Sequence, residues 1–178
     1  MYSNSWVVSL RQLLSQKKSN PERIAIVGIG NEFRSDDAAG MLVARALLAR
    51  ETNIDSGHIL VIQGGHAPEN VTGDLRQFSP GLILLIDAAD MGAEAGTISL
   101  IPMDQIEGMT ASTHSLPLSM LARYLILELN CEVALLGIQP KSIELGENIS
   151  KEVHQAATEI VEEISTLCFG GMPNPAWI

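Results

Sequence analysis

Positive charge is scarce in this chain. Against 21 aspartates and glutamates there are only 11 lysines and arginines, leaving a net charge of -10, and no basic run exceeds Lys17-Lys18. Nucleic acid and anionic lipid need Lys or Arg at their phosphates, so both are set aside as partners. Cysteine is scarce too. Cys131 and Cys168 lie in segments that read as buried, and two such residues make neither a disulfide framework nor a zinc motif. Long apolar runs are missing. "GLILLIDAA" falls far short of a membrane span. The N-terminus "MYSNSWVVSLRQLLSQKK" carries its basic residues after its apolar ones, the wrong order for a secretory signal, so a cytoplasmic location is expected. Three glycine motifs are also lacking. The turn after the first strand has Phe33 where a dinucleotide fingerprint has its third glycine, no G-K-S/T follows it, and no G-x-S-x-G elbow occurs anywhere.

What is present is apolar. At 46% hydrophobic and 18% charged residues, a chain of 178 can bury a sizeable core and is not disordered, and the length fits one domain, 1–178. Residues 5–17 space Trp6, Leu10, Leu13 and Leu14 as an amphipathic helix, an N-terminal addition that docks on the domain. Strands are expected at 24–30, 58–65, 81–90 and 132–140, with an edge strand at 96–102. Helices are expected from about Asp36 to Arg50, through "APENVTGDLRQFS" with a weak centre at Gly73, at 115–129 with Pro117 in its first turn, and from about Ser150 to Leu167. "GGMPNPAWI" reads as a loose tail. The alternation predicts an α/β fold: three layers, α/β/α, with a mostly parallel, twisted five-stranded sheet and helices on both faces.

In such a sheet, ligands bind beyond the carboxyl ends of the strands. Asn31, Asp36 and Asp37 follow the first strand; Gly64, Gly65 and His66 the second; Asp87 ends the third, with Asp90 close behind; Gln139 and Pro140 end the fifth; and "MTASTHSLPL", with His114, precedes a helix. Carboxylates and imidazoles thus crowd one rim. Two readings of Asp36-Asp37 stand. Either residue can cap the helix that follows, Asp36 being the better placed. With Asp36 as the cap, Asp37 is left available as a ligand. Asp87 closes the run "LILLI", so its carboxylate must be hydrogen-bonded, paired or metal-bound. His114 is either a loop or cap residue or a ligand; His58 and His66 read as exposed, and His154 as a surface residue. Together Asp37, Asp87 and His114 would offer two oxygens and one nitrogen to a divalent transition metal. On this reading the turn expects a cation where a nucleotide fold would place a phosphate.

Over residues 24 to 165 the chain resembles the [NiFe]-hydrogenase maturation endopeptidases. "GIGNEFRSDDAAG" is similar to the family's opening G-x-G-N segment with its D-D/E pair, "DAADMG" to its central aspartate segment, "STHSLPL" to its histidine segment and "GIQP" to its late strand end. "GGHAPEN" and "DAADMG" look closest to the subgroup that processes the large subunit of the formate-hydrogenlyase hydrogenase. The resemblance implies an endopeptidase that removes a C-terminal extension from the hydrogenase large-subunit precursor after nickel insertion. It also implies that Asp37, Asp87 and His114 are the metal ligands, and that the nickel is that of the substrate. Ala38 departs from the commoner glycine of the family but touches no proposed ligand, and the family assigns no role to the N-terminal helix. The resemblance leaves two mechanisms open: a metal that polarises the scissile carbonyl or activates water, or carboxylates acting as acid and base. A different class of function, a module that binds the nickel-loaded subunit without cutting it, stays open because no independent nucleophile is visible.

Overall fold

The computed structural model describes residues 5–15, 23–50, 57–102, 105–106 and 117–169. In chain order its elements are α1 (Ser5–Ser15), β1 (Ile24–Ile29), α2 (Ala39–Arg50), β2 (Ile59–Gly65), α3 (Thr72–Phe78), β3 (Leu82–Ala88), β4 (Ile98–Ile101), α4 (Leu118–Leu129), β5 (Glu132–Ile138) and α5 (Lys151–Phe169). The strands form a five-stranded sheet in the order β2-β1-β3-β5-β4, parallel except for β4, which runs antiparallel beside β5.

Alternation of side chains along each strand divides the core into two layers. Ile26, Leu84, Ile86, Ala134 and Leu136 face one way, against Val43 and Leu47 of α2 and Val153, Ala157 and Ile160 of α5. Val27, Ile83, Leu85, Val133 and Leu135 face the other way, against Leu75 of α3 and Leu118, Leu121 and Leu125 of α4. β3 is buried at every position, as a central strand covered on both faces requires. α1 joins the first layer through Trp6 and Leu10, and Arg11 on its outer side bonds Glu163 of α5. The expected N-terminal helix is thus a packed part of the sheet's cover, although residues 16 and 17 lie outside the described residues. Among the described residues no helix is long and apolar enough to cross a membrane.

Three expectations are corrected in detail. The helix expected from Asp36 starts as a 3₁₀ turn, Ser35–Ala38, and becomes α-helical only at Ala39. The helix expected through Gly73 is split into a 3₁₀ turn, Pro68–Val71, and a short α-helix from Thr72. Pro117 stands just before α4 as its cap residue, with extended ψ, and is not in its first turn. The tail from residue 170 is outside the described residues.

The strand order places the site. From β1 the chain crosses through α2 on one face to β2; from β2 it crosses through α3 on the other face to β3, which lies on the far side of β1. β1 and β3 therefore flank the topological switch point, where connections leave in opposite directions and a crevice opens at the carboxyl ends.

Candidate active site

Glycines bring the backbone close at this crevice. A Cβ on Gly40 would lie 2.0 Å from the carbonyl oxygen of Ile86 and 2.4 Å from that of Ile29, so the first turn of α2 sits astride the ends of β1 and β3. Gly30 has φ of +137°, and its missing Cβ would meet the Asp37 carbonyl at 1.7 Å. Only glycine fits there. The turn carrying the two aspartates is thereby pressed onto the switch point, and it packs against β3.

Asp37 is completely buried there, and its Oδ2 accepts the Asn31 N–H at 3.0 Å, one peptide beyond the end of β1. Asp87 is 1% exposed. Its neighbour Ile86 makes the last β1–β3 pair, opposite Gly28, so Asp87 stands where the two strands part, still paired to β5 at Gly137. Two buried carboxylate residues thus border the crevice, Asp87 at the end of β3 and Asp37 in the turn that bonds back to the segment just beyond β1. His114, the third predicted ligand, lies outside the described residues, as do Ser112 and Ser115. Among the described residues no group of three or more His, Cys, Asp and Glu side chains is placed to hold a metal ion.

Asp36 is not the helix cap that its position promises. Its Oδ2 accepts the N–H groups of Lys141 at 2.8 Å and Ser142 at 3.2 Å and the Ser150 hydroxyl at 2.9 Å, while Oδ1 accepts the Ser150 N–H at 2.6 Å. The carboxylate is a staple between the aspartate turn and the loop after β5. Four further bonds run between the same segments: Ser35 Oγ to the Asn148 carbonyl, Arg34 Nε to that of Ile143, Asp36 N–H to that of Ser142 and Gly146 N–H to that of Phe33. Ser35 holds a positive φ of 45° in the process, a strained conformation that these bonds maintain. Sequence reasoning missed this role. Its one local signal is Ser150, directly before α5, whose hydroxyl also accepts the Val153 N–H in the manner of a cap.

The remaining rim candidates are structural or peripheral. Gln139 is a clasp: its Oε1 accepts the N–H groups of Met91 and Ala93, and its Nε2 donates to Asp90 Oδ1. Asp90 is exposed and also accepts the Gly92 N–H. His66 is exposed just beyond β2, and His154 is exposed on α5. Burial pushes the thiols of Cys131 and Cys168 up to about 11, which removes both as nucleophiles at neutral pH.

Comparison with known proteins agrees with this architecture. A family profile described as hydrogenase maturation protease matches residues 41–167, a span that begins just after the aspartate turn and includes Asp87. A putative hydrogenase maturation protease of Methanocaldococcus jannaschii is 35% identical over 159 residues, covering 87% of this chain and 94% of that protein. The hydrogenase 3 maturation protease of Escherichia coli K12 is 34% identical over 137 residues, 76% of this chain and 85% of its own. The crystal structure of a [NiFe] hydrogenase maturation protease HycI from Thermococcus kodakarensis KOD1 superposes with a TM-score of 0.78 at 33% identity, over 89% of this chain and 97% of that one. Sharing both their sequence and their fold over most of its length, this chain belongs to the hydrogenase maturation protease family, a family of endopeptidases.

Proposed function

We propose that the chain removes the C-terminal extension of a [NiFe]-hydrogenase large-subunit precursor in the cytoplasm, after nickel has been inserted, and that Asp37, Asp87 and His114 form the cleaving site. The observation that supports this most directly is the burial of two aspartates, Asp87 at the end of β3 and Asp37 in the turn after β1, beside the switch point. Two buried carboxylates that border one crevice supply oxygen donors of the kind a divalent cation takes. Oxygen donors with an imidazole suit nickel as one borderline metal among several. In this reading Asp37, Asp87 and His114 would hold the ion that arrives with the precursor, and that ion would supply Lewis-acid chemistry for polarising the scissile carbonyl or activating water. Asp37 and Asp87 anchor the loaded subunit and orient the peptide. The staple at Asp36 holds the turn in place while they do so.

The test is a cleavage assay with purified chain and two precursor preparations, nickel-loaded and nickel-free. Release of the extension from the loaded form alone is expected, with little nickel in the purified protease by elemental analysis. Equal cleavage of both forms would overturn the dependence on substrate metal. No cleavage of either would overturn the assignment of the precursor as substrate.

A further inference from the structure

The two edges of the sheet are finished differently. β4 is a four-residue antiparallel strand with α1 packed across it. β2 has seven residues, "ILVIQGG", and among the described residues it pairs with β1 alone. Proteins normally blunt an edge of that length with a lysine, a proline or a distortion. β2 has no charged residue and no proline, and its one irregularity lies at the last pair with β1.

The hydrogen-bonding pattern of the outer edge of β2 follows from the register. Ile24 N–H donates to the His58 carbonyl at 2.8 Å, and the pairing continues in step from Ile24 with Ile59 to Gly28 with Gln63. In a parallel ladder this turns the peptide groups of residues 58, 60, 62 and 64 toward β1. Those of Ile59, Val61 and Gln63 point outward. Along that outward side runs a groove of about 590 Å³, walled by Val61, Ile62 and Gln63 from the strand and by Asp74, Gln77 and Phe78 from α3. Arg23 fixes the Phe78 wall, donating to its carbonyl at 2.8 Å with the guanidinium 5.5 Å from the ring centre.

We propose that this edge takes an extended segment of the precursor polypeptide as a sixth strand, hydrogen-bonded to the backbone of Ile59, Val61 and Gln63, with alternate side chains resting in the groove beside α3. This rests on the endopeptidase reading above. Only an extended chain satisfies a row of alternating N–H and C=O groups. The strand ends at Gly64 and Gly65, with His66 just beyond, on the same rim as Asp37 and Asp87, so a segment laid along it has one end beside the candidate site. A second copy of this chain is the poorer occupant, because two molecules of net charge -10 repel.

Two variants probe the edge. Val61→Pro removes an outward N–H that the β1 ladder does not use. Gln77→Trp, at an exposed position of α3, fills the groove and leaves the strand untouched. Each is expected to raise the precursor concentration giving half-maximal cleavage about tenfold, with the maximal rate within about threefold of the parent. In parallel, hydrogen exchange over residues 59–63 is followed by pulse labelling in the parent chain with nickel-loaded precursor added, before turnover is complete. Slowed exchange on binding is expected. Wild-type half-saturation in both variants, or precursor binding without protection of 59–63, overturns the proposal. So does a shift from dimer to monomer in Val61→Pro with half-saturation unchanged, which would give the edge to a second copy. Protection of the edge by a precursor that the parent chain never cleaves would instead fell the endopeptidase reading and leave the docking strand standing.

Discussion

Asp36 and Asp37 are neighbours, identical in chemistry and alike in being fully buried. Yet the fold uses them in opposite ways. They sit in a 3₁₀ turn, where successive side chains diverge by about 120°. One carboxylate is therefore sent to the loop after β5 and the other to the end of β1. Asp36 takes four bonds from residues 105 to 114 positions away in sequence. Asp37 takes the N–H of Asn31, six residues back, and lies at the crevice. One member of the pair builds the site; we assign the chemistry to the other. An acidic pair at a helix start thus need not be a doubled cap or a doubled ligand set.

The same substitution at both positions breaks the comparison most sharply. Asp36→Asn keeps the shape but offers one acceptor oxygen and two N–H donors to a pocket made of donors. Unsatisfied donors and a lost charge-assisted network cost about 2 to 4 kcal/mol. For a chain of this size that lowers the melting temperature by about 5 to 15 °C. A thermal melt of Asp36→Asn should show this, and an unchanged midpoint would mean that the loop from 141 to 150 is not held by the staple.

Asp37→Asn should do the reverse. An asparagine oxygen still accepts the Asn31 N–H, and losing the charge from that bond should change stability by only about 1 kcal/mol. Cleavage of nickel-loaded precursor should nevertheless be lost. A variant that melts like Asp36→Asn would place Asp37 in the scaffold, and one that cleaves normally would remove it from the ligands.

Much of this frame is legible in the sequence because it rests on local pattern. The β-branched run at 24–29, the apolar run at 82–88 and the alternation at 98–101 mark a central pair and an edge, and the alternation of strands and helices fixes the parallel sheet. Asp37 and Asp87 are found at the rim because the rule about carboxyl ends needs only the strand ends. The role of Asp36 is not legible, since capping preference is a local expectation and its partners come from a loop more than 100 residues on. The clasp at Gln139 is hidden for the same reason: its three bonds to residues 90–93 exist only once β3 and β5 are side by side. The position of β2 at the edge is equally hidden, because strand order, and not strand composition, decides which strand has no second neighbour among the described residues.

The smallest expected effect concerns the other buried ionisable groups. If a thiolate carried out the cleavage, the contrast between Asp36 and Asp37 would be a matter of scaffold alone. Cys131 lies under α4, its Sγ 3.7 Å from the Leu125 carbonyl, and burial raises its pKa to about 11; Cys168, on α5, is raised by burial to about 11 as well. Because the raised value lies above neutral pH, the thiol form dominates there, and the thiolate fraction is only about one in a thousand at pH 8. A thiolate mechanism would therefore climb about tenfold for each pH unit between 7 and 10. No such climb is expected in the rate on nickel-loaded precursor, and iodoacetamide treatment of the folded chain at pH 7.5 (a choice of about one unit below the ordinary thiol value) should leave the rate within about twofold. A steep rise with pH, or inactivation that follows alkylation of Cys131 or Cys168, would move the chemistry off the carboxylates and reduce the aspartate pair to structure.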